Sequence, residues 1–258
     1  MEDGSQRWQS SRWYDLLPEA ISILDAAEHD QWTFGGGTAL AIWLDHRVSF
    51  DIDIFTRGSL IRLTSQFCEE TKRVLGAAGK SQFPGHYLKL ELADGEIDFL
   101  TPPTLTRDPT REMTFEEIFT QAGLQYAGTD GDRILNVELP TEILVRKILY
   151  RRHDFKPRDV FDLAAALEWS PDVLTPAVEV FKAQPDIIEQ LEVRLRAMRP
   201  AYEAQAPLLI SPRPGCEHLL STAAIDLCLN EVNRLKPLVI EPELSPGQKP
   251  SLGPTPPI

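Results

Sequence analysis

Apolar and polar positions repeat along this chain with two different periods, and the change falls near residue 140. Within Tyr14 to Glu28, the residues Leu17, Ala20, Ile21 and Leu24 recur at helical spacing, so the segment predicts an amphipathic helix. Trp32-Thr33-Phe34 predicts a short strand, broken by Gly35, Gly36 and Gly37, and Thr38 to Leu44 then reads as a buried helix. Phe50 to Phe55 alternates strictly, which predicts a strand with Phe50, Ile52 and Ile54 in the core. Ser59 to Ala78 predicts a helix ending near Gly79. Tyr87 to Leu92 and Glu96 to Thr101 alternate again, with Ala93-Asp94-Gly95 as the hairpin turn between them. Thr104 to Ala127 has no single period, and Phe115 to Phe119 reads equally as a short helix or a strand. Arg133 to Glu138 predicts one more strand.

From Pro140 the pattern is helical: Thr141 to Arg152, Pro157 to Leu167, Pro171 to Lys182, Pro185 to Met198 and Glu217 to Leu235. Strands first and helices afterwards predict an α+β fold, with a small mixed-sheet domain over residues 1–139 and a helical domain over 140–235. Residues 236–258 are rich in proline and predict a disordered tail. The cleft between the two domains is the natural place for a ligand.

Composition narrows the chemistry. The chain has 258 residues, 42% of them hydrophobic and 25% charged, as expected of a soluble globular protein. No apolar run reaches the roughly 20 residues that span a bilayer, and Met1 to Ser11 lacks the apolar core of a signal peptide, so a cytoplasmic location with no membrane partner is expected. The three cysteines are far apart and the histidines do not cluster, which argues against zinc; any metal must be held by carboxylates, as magnesium or manganese is. A net charge of -13 argues against a general nucleic-acid coat, although Arg146, Lys147, Arg151, Arg152, Lys156 and Arg158 make a local basic cluster.

Two features carry the chemistry. Gly36, Gly37 and Thr38 open a helix, where a glycine turn and free N–H groups suit a triphosphate. Asp51 and Asp53 alternate within one strand, so both project from one face, about 6.6 Å apart along it. Two such carboxylates repel each other unless a cation lies between them. Glu96 and Asp98 share a face of a later strand, and either one supplies a third acid. Three carboxylates suit a two-metal site for displacement at phosphorus, with Asp51, Asp53 and Asp98 as the catalytic and metal-binding set.

Gly36-Gly37-Thr38-Ala39-Leu40, with His46-Arg47-x-Ser49-x-Asp51-Ile52-Asp53-Ile54-Phe55, resembles the motif of the AbiEii/AbiGii nucleotidyltransferases, members of the polymerase-β-like superfamily and toxins of type IV toxin–antitoxin systems. Glu142, Lys147 and Arg152, followed by Arg158-Asp159 and Asp162-Leu163, resemble the same family's second block. The resemblance covers residues 32 to 168 and implies a nucleotidyltransferase first domain. It implies that Gly36, Gly37 and Thr38 hold the phosphates of an NTP, that Ser49 and Arg47 contact phosphate, and that Asp51 and Asp53 bind Mg2+ (or Mn2+). It also implies that Lys147 touches the triphosphate, organised by Asp159 or Asp162.

The function so implied is Mg-dependent transfer of a nucleotide to an RNA (tRNA foremost) or protein acceptor, by a toxin with a cognate antitoxin encoded nearby. Two other readings stand beside it: transfer to a small cationic molecule, as in aminoglycoside adenylyltransferases, and a non-catalytic nucleotide- or partner-binding protein. The strongly acidic composition favours the small molecule, and the basic cluster favours RNA.

Overall fold

The computed structural model describes residues 11–240. The amino-terminal ten residues and the proline-rich tail from 241 onward lie outside the described residues. Seven strands form one mixed sheet: β1 (Trp32–Gly35), β2 (Ile52–Thr56), β3 (Lys80–Gln82), β4 (Tyr87–Glu91), β5 (Glu96–Leu100), β6 (Thr110–Thr114) and β7 (Ile134–Glu138). Their order across the sheet is β3-β4-β5-β2-β1-β7-β6. The β2–β5 and β1–β7 pairs are parallel and the others antiparallel.

Period-two burial sorts the two faces. Ile52, Ile54, Ile97 and Phe99 are fully buried, on the face that α1 (Trp13–Ala26) covers with Leu16, Leu17, Ala20, Ile21 and Leu24. Asp53, Phe55, Asp98 and Leu100 stand on the opposite face and are only half-buried. The turn after β4 is closed by the Leu92 N–H donating to the Gly95 carbonyl, with Gly95 at φ +156°.

All strands of the described residues precede residue 139, and the helices that follow complete the α+β architecture: α5 (Pro140–Arg151), α6 (Pro157–Trp169), α7 (Val178–Lys182), α8 (Asp186–Leu209) and α9 (Thr222–Val239). Helix α6 buries every residue from Asp159 to Leu167, as a helix enclosed on all sides does, and packs on both α8 and α9.

Several boundaries differ from the sequence reading. Strand β2 begins at Ile52, so Asp51 stands at its approach, and Phe50 is half-buried rather than in the core. The helix expected over Ser59–Ala78 is a 3-10 turn, Leu60–Leu63, followed by α3 (Glu69–Leu75). Thr64 and Thr71 hydroxyls donate to the carbonyls of Ile61 and Leu63, capturing acceptors that a continuous helix needs. The helix expected over Pro171–Lys182 is reduced to a 3-10 turn at Thr175–Ala177 and the short α7, because Pro176 has no N–H to donate.

Helix α8, expected to end at Met198, runs on through Pro200 and Pro207 to Leu209, since Leu195, Met198, Tyr202 and Ala206 bury one continuous stripe. Helix α9 likewise continues past Leu235 to bury Val239, so the tail begins later than residue 236. Thr104 to Ala127, which has no single period, contains β6 and α4 (Phe115–Gln121), the latter started by a capping box between Thr114 and Glu117.

Candidate active site

Strand β1 ends at Gly35, and α2 (Gly36–Leu44) starts at once. Gly36 has φ +67°, a left-handed conformation, and a Cβ there would fall inside the Asp53 carboxylate. The β1–β2 register sets Gly35 opposite Asp53, which brings the turn against the aspartate. The Gly37 N–H donates to Asp53 Oδ2 at 3.3 Å. Gly35 has no side chain with which to cap α2 and no acid lies in the first turn, so the positive end of the helix is turned towards Asp53.

Asp53 also sits beside Asp98 in the parallel β2–β5 register. Burial raises the Asp98 carboxyl to about 7, with the charges of Asp53 and Glu96 adding to the effect. Burial likewise raises Asp51 to about 6, again with Asp53 and Glu96 contributing. Oδ1 of Asp51 and Oδ1 of Asp98 are buried without a hydrogen-bond partner. Lys89 faces Asp98 from β4, its Nζ 2.5 Å from Glu96 Oε2 and 3.4 Å from Asp98 Oδ2. Glu96 and Asp98 thus belong to one cluster, in which Asp98 adjoins Asp53 and Glu96 is committed to the lysine.

Among the described residues, no three His, Cys, Asp or Glu side chains are grouped closely enough to hold a metal by themselves. The donors present nevertheless fit magnesium, which takes one or two hard carboxylate oxygens and completes its shell with water and substrate phosphate. Two orphaned buried oxygens and two carboxyls shifted towards neutrality are what a cation would relieve.

The other motif residues divide between the cavity wall and its support. The Thr38 hydroxyl donates to the Asp51 carbonyl and lies 2.9 Å from the Ser49 hydroxyl; both side chains are buried and brace the approach to β2. Arg47, also buried, reaches Asp162 through Nε at 2.6 Å and Nη2 at 3.1 Å. A Cβ on Gly37 would come 3.0 Å from Arg47 Nη2, so this pair lies directly beneath the turn.

Lys147 Nζ is 2.8 Å from Asp162 Oδ2 and 3.0 Å from Asp159 Oδ1, and Arg151 Nη1 is 3.0 Å from Asp159. Burial opposes the charge on Asp162, but Arg47, Lys147 and His46 outweigh it and hold the carboxyl well below its usual range. His46, whose Nε2 lies 2.7 Å from Asp162 Oδ1, is stacked on Phe161 and lowered by burial.

These elements enclose a cavity of about 430 Å3. Gly36, Gly37 and Asp53 form part of its wall, Lys147 and Arg151 contribute cations, and Phe55, Leu100, Pro102, Ile143 and Tyr150 supply apolar surface. Two residues to which the sequence assigned no role in the site share this wall: Glu138 at the end of β7, and Arg146, which the sequence placed only in a basic cluster. Arg146 Nη2 donates to Glu138 and Glu142, each at 2.8 Å, while its guanidinium lies 4.0 Å above the Phe55 ring.

Glu142 is wholly buried, accepting from the N–H groups of Leu105 and Thr106 and from the Thr106 hydroxyl, and so fixes the loop that carries Pro102. An acid and an arginine at helical spacing 142/146 were the available signal, but the Leu105 and Thr106 groups that Glu142 holds lie more than 30 positions away in sequence.

Residues 21–214 match the family model described as AbiEii: nucleotidyl transferase AbiEii toxin, type IV TA system. A solved structure from H. pylori described as a candidate nucleotidyltransferase aligns at 12% identity and a TM-score of 0.46, covering 88% of this chain and 94% of that one. No curated protein matches the sequence.

Proposed function

We propose a reaction for this chain on one premise: it belongs to the AbiEii family of nucleotidyl transferase toxins of type IV toxin–antitoxin systems. The reaction is transfer of a nucleotide from an NTP to a hydroxyl acceptor, with Mg2+ (or Mn2+) as cofactor. The observation that carries it is the single cavity shared by Gly36, Gly37, Asp53 and Lys147, a helix start, a carboxylate and a cation facing one space.

In this reading the first-turn amides of α2 and Lys147 receive the triphosphate, with Asp159 and Asp162 fixing the lysine between them. Arg47, Thr38 and Ser49 act from below, holding the turn and the approach to Asp51 in register with Asp162. Asp51, Asp53 and Asp98 would hold the metal. Magnesium bound there would lower the pKa of the attacking hydroxyl and offset charge on the leaving pyrophosphate. The acceptor oxygen forms its bond to the α-phosphorus as the bond to the β-phosphate oxygen breaks. The hydroxyl proton passes to the Asp98 carboxylate, which stands beside Asp53 in the sheet.

The acceptor we favour is an RNA, tRNA foremost, or a protein, and a cognate antitoxin is the expected partner. One observation supports a small cationic acceptor instead: Arg146, Lys147 and Arg151 are paired with acids inside the fold, so the basic cluster is less of a polyanion surface than its sequence implies. Incubation with magnesium, each labelled NTP and total tRNA, beside the Asp51→Ala, Asp53→Ala double variant, tests the reading. Label in tRNA with the unsubstituted protein alone supports it. Label in neither sample rejects tRNA and moves the test to proteins and aminoglycoside-like amines.

A further inference from the structure

The cavity holds more than phosphates use. Phe55, Leu100, Pro102, Ile143 and Tyr150 offer a triphosphate nothing, yet they share its walls with the glycine turn. Among these apolar groups sit three buried polar atoms without a hydrogen-bond partner: Glu138 Oε2, and Nε and Nη1 of Arg146. A buried polar group left unmatched costs about 1–3 kcal/mol, more if charged, and both residues line the cavity, so a ligand there that matched these atoms would recover that cost.

Their directions are fixed. Glu138 Oε1 accepts from the Thr33 hydroxyl at 3.3 Å and from Arg146 Nη2 at 2.8 Å. Arg146 is locked by Glu142 on one side and the Phe55 ring on the other. Gly35 makes the arrangement possible, since a Cβ there would overlap the Glu138 carboxylate and come 2.6 Å from Phe55 Cε2.

A carboxylate oxygen and a guanidinium edge set among apolar walls suit a flat heteroaromatic ring with a donor next to an acceptor on one edge. Resting on the nucleotide-site reading above, we infer that Glu138 and Arg146 read the nucleobase of the donor. Glu138 Oε2 accepts from an exocyclic amino or ring N–H group, and Arg146 donates to a ring carbonyl or nitrogen. The apolar wall takes the ring faces, and the triphosphate extends to Gly36 and Gly37. The pair therefore determines which NTP is used.

Calorimetric titration with magnesium tests this, comparing the four NTPs, ribose 5-triphosphate and inorganic tripolyphosphate on the unsubstituted protein and on Glu138→Gln. At least tenfold discrimination among the bases is expected, with Glu138→Gln changing their ratios about tenfold and leaving tripolyphosphate affinity unchanged. Should Glu138→Gln melt early, Arg146→Lys, which keeps the charge and loses the fork, carries the same comparison. Tripolyphosphate binding with equal affinity for every NTP and for ribose 5-triphosphate overturns the inference alone, as do unchanged ratios in a folded variant. No binding of any triphosphate by the unsubstituted protein rejects the nucleotide site, and the base reading with it.

Discussion

Arg47 and Asp162 lie 115 positions apart and meet in a bidentate pair beneath the glycine turn, with both side chains closed to solvent. Removing one member strands a buried charge, which costs about 3–5 kcal/mol. Asp162→Ala is expected to lose that much stability in urea unfolding. The double variant Arg47→Met, Asp162→Leu should recover part of the loss, because no lone charge remains at that pair.

Gly36→Ala is expected to fold with a modest penalty and to lose nucleotide affinity by at least tenfold. Its Cβ would displace the Asp53 carboxylate and strain a backbone at φ +67°. Gly58→Ala, also at positive φ but with open space around its Cβ, is the control for strain alone. Titration of labelled NTP against both variants separates the two effects.

The carboxylates give a pH signature. Asp51, Asp98 and Glu138 have folded-state values of about 6, 7 and 8, above those of an unfolded chain, so the folded protein binds more protons between pH 4 and 8. The contribution of these three groups is then highest at the acid side of that window and falls as pH rises through it, opposed in part by His46, which burial lowers. Thermal melts without divalent ions should show this decline. Added magnesium should flatten it, and a chelator should restore it.

Asp53→Asn is expected to lower transfer activity by about 10³-fold, from the loss of several kcal/mol of charge stabilisation at phosphorus. The same change removes a charge that raises both neighbours, so its melting temperature without metal should equal or exceed that of the unsubstituted protein. Lower activity together with lower stability would mean that Asp53 serves the fold instead.

Glu142→Gln should cost about 1–3 kcal/mol, since one amide cannot accept from two backbone N–H groups, a hydroxyl and Arg146 as a carboxylate does. Hydrogen exchange of the Leu105 and Thr106 amides should quicken more than that of β2.

Where local chemistry decides conformation, the sequence was readable. Glycines at 35–37 and the alternating Phe50–Phe55 segment are each determined within a few residues, and only the start of the strand, at Ile52, differs. The grouping of Asp98 with Asp53 followed from alternation on two strands and needed only their parallel register. Partnerships between elements were not readable: Lys89 meeting Asp98 depends on the exact register of the hairpin, Glu138 meeting Arg146 on the turn from β7 into α5, and Glu142 holding Thr106 on where α5 crosses a distant loop. Strand β3, whose three residues are all exposed, carries no apolar period to detect. The prolines of α8 pointed to a break that its buried stripe overrides.

Between α8 and α9 the chain returns to the segment that precedes β2. The Val48 N–H donates to the Ser211 carbonyl, the Arg213 N–H donates to the His46 carbonyl, and Arg47 and Pro212 form an antiparallel bridge. Asp162 of α6 holds His46 and Arg47 from the other side. The stretch that leads to Asp51 is thus clamped by two segments remote in sequence, and its position is set by the helical half rather than by its own neighbours along the chain.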